Sequence, residues 1–141
     1  MSNDFLQNLP AEVLDRASKG NEYAWRISDI PAVIKAAQDA GLVSVGGQLQ
    51  FRIPDEGTCE CWWVQVDTYP DVPKTLPWSE RVERSASSAN AKFGSLQIED
   101  DFIAEGRKAF GEYLSNHEKR GGQVEEVMWF VWYLVGPADG H

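Results

Sequence analysis

Positive charge is scarce in this sequence. It has 13 lysines and arginines against 22 aspartates and glutamates, which gives a formal net charge of -9 at pH 7. Because affinity for nucleic acids comes mainly from cations that neutralise phosphates, this balance argues against a nucleic-acid partner, and it disfavours anionic membrane surfaces for the same reason. A basic protein, in contrast, would be attracted by the electrostatic field of such a chain.

Cysteine and long apolar segments are also scarce. The only two cysteines, Cys59 and Cys61, are two residues apart in a predicted strand, near the upper limit of the distance that a disulfide bridges. The longest apolar run, Val127 to Val135, is much shorter than the roughly 20 residues of a membrane-spanning helix. The opening residues lack the basic and apolar regions of a secretory signal. We therefore expect free thiols in a cytoplasmic protein without a membrane span.

Tryptophan is present in excess, with 6 residues in a chain of 141. The length is that of one domain, and a hydrophobic content of 43% is ordinary for a globular protein. We therefore expect a single domain over 1–141. A chain of this size can bury about two-thirds of its unfolded surface, so it needs no disulfide or metal to fold.

Hydrophobic periodicity predicts an α+β domain. Helical spacing follows Pro10, Asp29, Pro77 and Asp101, whereas strand-like runs cover 22–27, 43–53, 58–67 and 124–135. The order α-β-α-β-β-α-α-β predicts a four-stranded, mainly antiparallel sheet with helices packed on it. Without the first helix, this order approximates the βαββαβ pattern of ferredoxin-like folds, with the second helical crossover doubled.

The clearest local prediction is a β-hairpin with a four-residue turn at 54–57. Pairing Ile53 with Thr58 gives a register whose buried face carries Trp62, Val64 and Val66. The opposite face then carries Cys59, Cys61, Trp63 and Gln65. A one-residue slip would exchange the two sets, because strand side chains alternate between faces.

The tryptophans raise the question of what covers the second face of the sheet. Neighbouring strand residues point to opposite faces, so Trp62 and Trp63 are predicted on opposite faces. Trp129 and Trp132 are three residues apart, an odd separation, in the last predicted strand, so they are also predicted to lie on opposite faces. Such a sheet either has covers on both faces or keeps an aromatic recognition surface. The proline-rich loop that contains Tyr69 is predicted to form the rim of that surface, together with Trp78.

No residue pattern predicts catalysis. Cys59 and Cys61 have no second pair of metal ligands, and they lack the spacing of a Cys-x-x-Cys redox site. The acidic run Glu99, Asp100 and Asp101 suits a helix N-terminus, and His117 suits a helix C-terminus. A glycine-rich phosphate loop and a nucleophile elbow are both absent. We expect no cofactor and no metal site, and we favour a binding protein over an enzyme.

The predicted function is a small acidic module that binds a protein partner. In its most concrete form, the partner is a basic protein that the module neutralises, as an immunity protein neutralises a toxin. Carboxylates would attract the partner, and aromatic side chains would anchor it. The predicted binding residues are Trp62, Trp63, Tyr69, Trp78, Glu99, Asp100, Asp101, Trp129 and Trp132. Two alternatives are a ligand-binding domain or small enzyme with a tryptophan-lined pocket, and a structural homodimer joined through the second sheet face.

Overall fold

One antiparallel sheet organises the chain. The computed structural model describes residues 4–20 and 22–137. The helices are α1 (Ala11–Asp15), α2 (Ile30–Asp39), α3 (Trp78–Glu99), α4 (Phe102–Lys119) and α5 (Val124–Val127). The strands are β1 (Ser18–Lys19), β2 (Tyr23–Trp25), β3 (Val43–Ile53), β4 (Gly57–Asp67) and β5 (Met128–Val135). Short 3-10 helices cover Asp4–Asn8, Ile27–Asp29 and Tyr69–Asp71.

The strand order is β1-β2-β5-β3-β4, and each neighbouring pair is antiparallel. The α+β class and the antiparallel sheet are confirmed, but the sheet has five strands because Ser18–Lys19 adds a short edge strand. The ferredoxin-like arrangement is not found. That arrangement centres the first and third of its four strands, whereas β3 and β5 are central here. The strand β5 is apolar on both faces, so an inner position buries more of its surface than an edge would.

The helices α2, α3 and α4 cover one face of the sheet. Phe93 of α3 lies at the centre of this packing, with its ring centroid 5.2 Å from that of Phe130 and 6.4 Å from that of Trp132. Close approach depends on small residues in the helices. A Cβ atom at Gly106 of α4, for example, would lie only 2.4 Å from the ring of Phe51.

The register of the β3–β4 hairpin differs from the prediction. Ile53 pairs with Gly57, so the loop has three residues instead of four, with Asp55 at φ 67° and Gly57 at φ 107°. This one-residue slip moves Cys59 and Cys61 into the core beneath the helices, where they are 7% and 0% exposed. The prediction that the two cysteines lie on the other face was therefore wrong, although both thiols are free.

A bulge in β4 then reverses, for a second time, which residues of this strand face the helices. Gln48 pairs with Gln65 while the next residue, Leu49, pairs with Cys61, so the residues 62–64 have no partner on β3. These three extra residues are an odd number, so they reverse the alternation of faces along β4. Val64 is therefore buried, as predicted. Trp62, however, is 65% exposed, so its predicted place in the core was wrong.

The two tryptophans of β5 lie on opposite faces, as predicted. Trp132 is 2% exposed beneath the helices. Trp129 lies on the other face, where the guanidinium carbon of Arg26 is 3.7 Å from the centroid of its ring. Trp132 is therefore a core residue, whereas Trp129 is covered by a neighbouring side chain.

The β1–β2 hairpin covers part of the second face. Arg52 of β3 donates hydrogen bonds to the carbonyl oxygens of Ser18 (3.1 Å) and Glu22 (2.7 Å), so the turn of this hairpin lies over the face that points away from the helices. Ala24 and Val131 on this face are fully buried. The cover consists of a short hairpin held by polar contacts.

Several predicted element boundaries also differ. The helix α3 continues through Gly94 to Glu99, and the predicted strand 124–135 begins with the helical turn α5. None of the helices in the described ranges is both long and apolar enough to cross a membrane.

Candidate functional site

A cluster of aromatic rings lies on the free edge of the sheet. The centroids of Trp62 and Trp63 are 5.6 Å apart with perpendicular ring planes. Trp63 in turn stacks on Phe110 of α4, with 6.4 Å between centroids and 24° between planes. Trp62, Trp63 and Phe110 are called the aromatic patch below. Sequence analysis singled out its two tryptophans but placed them on opposite faces.

Two backbone irregularities produce the aromatic patch. The first is the bulge in β4, which frees Trp62 and Trp63 from regular strand pairing. The second is an interruption in α4, where Phe110 has φ -132° and ψ 32°, outside the helical region. Bulges are frequent at sheet edges and next to functional sites, where they redirect side chains. The bulge and the helix interruption meet at the contact between Trp63 and Phe110.

The aromatic patch is accessible to solvent. Trp62 is 65% exposed and Trp63 is 37% exposed. Tyr113, one turn after Phe110 on α4, is 43% exposed. Because β4 is the last strand of the sheet, no further strand among the described residues covers these rings. Exposed tryptophans grouped in this way are typical of interaction surfaces, since Trp and Tyr dominate binding hot spots.

The charged residues on α4 near Phe110 include an arginine, Arg107, that is paired with a carboxylate. The Arg107 guanidinium, one turn before Phe110, makes two hydrogen bonds of 2.9 Å to the Glu118 carboxylate. Burial raises the pKa of the Cys61 thiol to about 12, and the negative charge of Glu105 contributes to that rise. Glu105 also belongs to α4, the helix that carries Phe110 of the aromatic patch.

The predicted acidic residues form the junction between α3 and α4. Asp101 caps α4 by accepting a hydrogen bond of 3.1 Å from the backbone N–H of Ala104. Glu99 is the last residue of α3, and Asp100 directly follows it. Among the described residues, no hydrogen bond, ion pair or ring contact joins these three acids to the aromatic patch. The helix-capping interpretation is thus confirmed for Asp101.

Tyr69 and Trp78 lie together at another place, on the wall of a cavity. The cavity has a volume of about 240 Å³ and is bounded by β3, β5, the 3-10 turn Tyr69–Asp71 and the start of α3. The indole N–H of Trp78 donates to the carbonyl oxygen of Gly41 at 2.8 Å. The nine predicted binding residues therefore separate into the two patch tryptophans, this pair, the acidic junction, Trp129 under Arg26, and the buried Trp132.

A bulge in β3 forms part of the cavity wall. The pairing with β5 shifts between Ser44 and Gly46, which leaves Val45 as the extra residue. Thr68 donates its hydroxyl hydrogen to the Ser44 carbonyl oxygen at 2.5 Å, and the Ser44 N–H donates to Ser85 Oγ at 3.0 Å. These bonds satisfy backbone groups of Ser44 next to the bulge.

A polar cluster beneath the β1–β2 hairpin was not predicted. Gln50 is only 1% exposed, and its amide nitrogen lies 3.4 Å from a carboxylate oxygen of Glu22 and 3.3 Å from one of Glu60. Tyr133 donates its hydroxyl hydrogen to the other oxygen of Glu22 at 2.5 Å. Arg52 donates to the side-chain oxygen of Gln50 at 3.2 Å. Together with the Arg52 bonds to the hairpin backbone, this cluster fixes the hairpin to the sheet.

The pKa values of the polar cluster follow from its burial. Burial raises the pKa of Tyr133 well above its ordinary value, and the hydrogen bond to Glu22 adds to that rise. Burial lowers the pKa of Arg52, against the opposing attraction of Glu22. The raised pKa keeps the phenol of Tyr133 neutral, so that it donates its hydroxyl hydrogen to Glu22. Each of these side chains has a hydrogen-bond partner within the protein, so the arrangement holds structure and presents no free nucleophile.

The remaining chemical candidates lie apart from both sites. His117 is half-buried near the end of α4, where its ring packs against Gly122. Within residues 4–20 and 22–137, no group of three or more His, Cys, Asp and Glu side chains is arranged to hold a metal ion. Comparisons with protein-family models, with curated proteins and with solved structures give no match.

Proposed function

We propose that this protein is a binding module that attaches to a basic protein partner through the aromatic patch. The observation that carries the proposal is the exposure of two adjacent tryptophans, Trp62 and Trp63, on the edge strand β4. Fully burying a large aromatic side chain contributes roughly 1.5–3 kcal/mol. A partner that covers the aromatic patch would gain most of this free energy at Trp62, which is 65% exposed, and less at Trp63, which is 37% exposed.

The charge of the chain supports a basic partner. A net charge of -9 would accelerate the encounter with a cationic surface and would slow the encounter with an acidic one. The cation beside the patch, Arg107, is already paired with Glu118. The carboxylate of Glu105, which lies on the same helix as Phe110, is the candidate partner for a lysine or arginine around the aromatic anchors, whereas Glu60 is held in the polar cluster.

The two alternative functions receive different support. A homodimer joined through the second sheet face is less favoured, because the β1–β2 hairpin occupies part of that face. A ligand-binding pocket lined by Trp62 or Trp63 together with Trp78 and Phe110 is also less favoured, because Trp78 lies on the cavity wall whereas the other rings form the aromatic patch.

The test compares variants of the purified protein as bait in an extract of the source cells. Trp62→Ala removes the most exposed anchor of the aromatic patch. Ile98→Ala removes an apolar side chain that is 87% exposed on α3, a helix that contributes no ring to the aromatic patch, and serves as the matched control. We expect a basic protein that the wild type and Ile98→Ala retain in low salt, and that high salt or Trp62→Ala releases.

The purified pair then provides the quantitative measurement. Because hot-spot truncations cost 2 kcal/mol or more, Trp62→Ala should raise the Kd by about 30-fold or more. The Ile98→Ala variant should change it less than about threefold. The proposal is wrong if every protein captured by the wild type is captured equally by Trp62→Ala, or if the captured partner is acidic.

A further inference from the structure

We propose that the partner of the aromatic patch presents an arginine side chain whose guanidinium stacks on a free face of Trp62. This inference rests on the proposed function, because it concerns the same site and names the group of the partner that the site binds. It narrows a basic partner to one type of cation and one geometry. A planar, weakly hydrated guanidinium stacks on an aromatic face more readily than the compact, strongly hydrated ammonium of lysine.

Trp62 has at least one face without a ring contact. Its contact with Trp63 is perpendicular, with 5.6 Å between centroids, so an edge of one ring points at a face of the other. That arrangement occupies at most one of the two faces of Trp62, and Trp62 contacts no other aromatic ring of the described residues. Because Trp62 is 65% exposed, the remaining face is accessible to a planar group of a partner.

Trp63 and Phe110 hold Trp62 in a defined orientation. Trp63 stacks on Phe110 with 24° between the ring planes, and it contacts Trp62 at the same time. Phe110 is half-buried in α4, so the three rings are connected to the body of the protein. The complex therefore loses less conformational entropy than it would if the partner had to order a mobile side chain.

The protein stacks its own arginines on both of its half-buried tryptophans. The guanidinium carbon of Arg26 lies 3.7 Å from the centroid of the Trp129 ring, and that of Arg81 lies 4.8 Å from the centroid of the Trp78 ring. No lysine or arginine of the described ranges lies over either tryptophan of the aromatic patch. The exposed pair therefore lacks the cation that the half-buried tryptophans receive from within the chain.

The stack of Arg26 on Trp129 shows what a guanidinium gains over an ammonium. While it lies over the ring, its Nη1 donates to three backbone carbonyl oxygens within 125–128, at 2.8 Å to 3.1 Å. Acceptors of this kind are also present beside the aromatic patch. An edge strand leaves carbonyl oxygens without a strand partner, β4 is such a strand, and Glu105 on α4 adds a carboxylate.

The probe is a hexapeptide of alternating arginine and glycine, compared with the same peptide containing lysine or citrulline in place of arginine. The arginine and lysine peptides carry equal charge, whereas citrulline keeps the planar head group without the charge. Nuclear magnetic resonance follows the indole N–H signal that Trp62→Phe removes. We expect the arginine peptide to shift this signal saturably, and to bind about threefold more tightly than the lysine peptide and about tenfold more tightly than the citrulline peptide.

Two outcomes would overturn the inference. Equal affinities of the arginine and lysine peptides would show that charge alone determines binding, and no saturable shift of the Trp62 signal would place the cation elsewhere. Both outcomes are distinct from failure of the proposed function. That function stands if Trp62→Ala still releases a basic protein captured by the wild type, and it fails if Trp62→Ala releases none.

Two substitutions separate the aromatic face of Trp62 from its apolar area. Trp62→Phe keeps an aromatic face, whereas Trp62→Leu keeps apolar bulk without one. With binding followed at the indole signal of Trp63, Trp62→Phe should still prefer the arginine peptide by about twofold, and Trp62→Leu should bind the arginine and lysine peptides equally. Ile98→Ala is the matched control and should keep the full preference. An unchanged preference in Trp62→Leu would contradict stacking on this ring.

Discussion

Three helices cover one face of the sheet and a two-stranded hairpin covers the other, and different interactions hold the two covers. On the helix face, Phe93 packs edge-on against Phe130 and Trp132. On the hairpin face, Arg52 and Tyr133 form hydrogen bonds with Ser18 and Glu22. The first cover depends on apolar area, which is not directional, and the second depends on the geometry of a few polar groups.

This difference has a consequence for how each face responds to substitution. An apolar interface loses stability in proportion to the volume removed, because a cavity remains. A buried polar cluster loses stability when one member leaves its partners without hydrogen bonds. The two faces of the same sheet should therefore differ in both the size and the pH dependence of mutational effects.

The largest effect is expected on the helix face. Phe93→Ala should lower the free energy of unfolding by about 3–5 kcal/mol, because Phe93 is 2% exposed and contacts two core rings. Urea denaturation followed by circular dichroism measures this change. Phe93→Leu preserves most of the volume and should cost less than about 1.5 kcal/mol. Equal losses in the two variants would show that cavity formation does not dominate on this face.

An intermediate effect is expected at Arg52. Arg52→Met keeps an aliphatic side chain but leaves the carbonyl oxygens of Ser18 and Glu22 without their donor, which should cost about 1–3 kcal/mol. Arg16→Met removes an exposed ion pair with Asp29 and should cost less than about 1 kcal/mol. Amide hydrogen exchange should show faster exchange in the β1–β2 hairpin of Arg52→Met than in α3. Uniform acceleration across the molecule would contradict a local role in holding the hairpin.

The smallest effect is expected at Tyr133, and it depends on pH. Tyr133→Phe removes one hydrogen bond to Glu22 and should cost about 1 kcal/mol near pH 7. Because the folded state raises the pKa of this phenol above about 10, the unfolded chain loses the proton first as the pH increases. The stabilisation is complete below about pH 10 and is lost above it.

The measurement compares urea midpoints of the wild type and Tyr133→Phe between pH 8 and pH 11. The difference between them should shrink as the pH rises above about 10. The buried thiols Cys59 and Cys61 also have raised pKa values, but they are present in both proteins and cancel in the difference. Tyr113→Phe, on an exposed tyrosine, should show no such trend. A difference that stays constant or grows with pH would contradict the assignment.

The sequence predicted most of the helix face. Helical spacing from Trp78 to Phe93 predicts that Ala86, Ala89 and Phe93 share one stripe, and all three are buried, because periodicity reports which side of a helix is buried. The run 124–135 is apolar on both faces, which predicts an inner strand or a second face used for binding, and β5 is an inner strand. Periodicity does not report the order of the strands in the sheet, because that order depends on how the apolar faces of all the strands and helices are buried together. The ferredoxin-like expectation was wrong for this reason.

The candidate site was less predictable. Period-two alternation assumes regular pairing, so it has no means of locating the bulge at Trp62 or the three-residue turn before Gly57. The pair of adjacent tryptophans, Trp62 and Trp63, was the one sequence feature that indicated an irregularity here. Two adjacent large aromatic residues fit poorly in a regular strand with one buried face. The polar cluster was missed because Gln50 and Arg52 follow the pattern of exposed strand residues, and their cover comes from a hairpin 30 residues earlier in the chain.

The bulge in β4 also changes what the exposed edge of the sheet offers to another strand. A regular edge strand offers a continuous row of free N–H and C=O groups, onto which another chain can add a strand and begin a fibril. The residues 62–64 interrupt that row near the middle of β4, and β1 at the opposite edge has only two residues. Neither edge therefore offers a long template for sheet propagation. The irregularity that displays the tryptophans thus divides the backbone edge of β4 into two short segments, which favours contacts through side chains over a continuous backbone ladder.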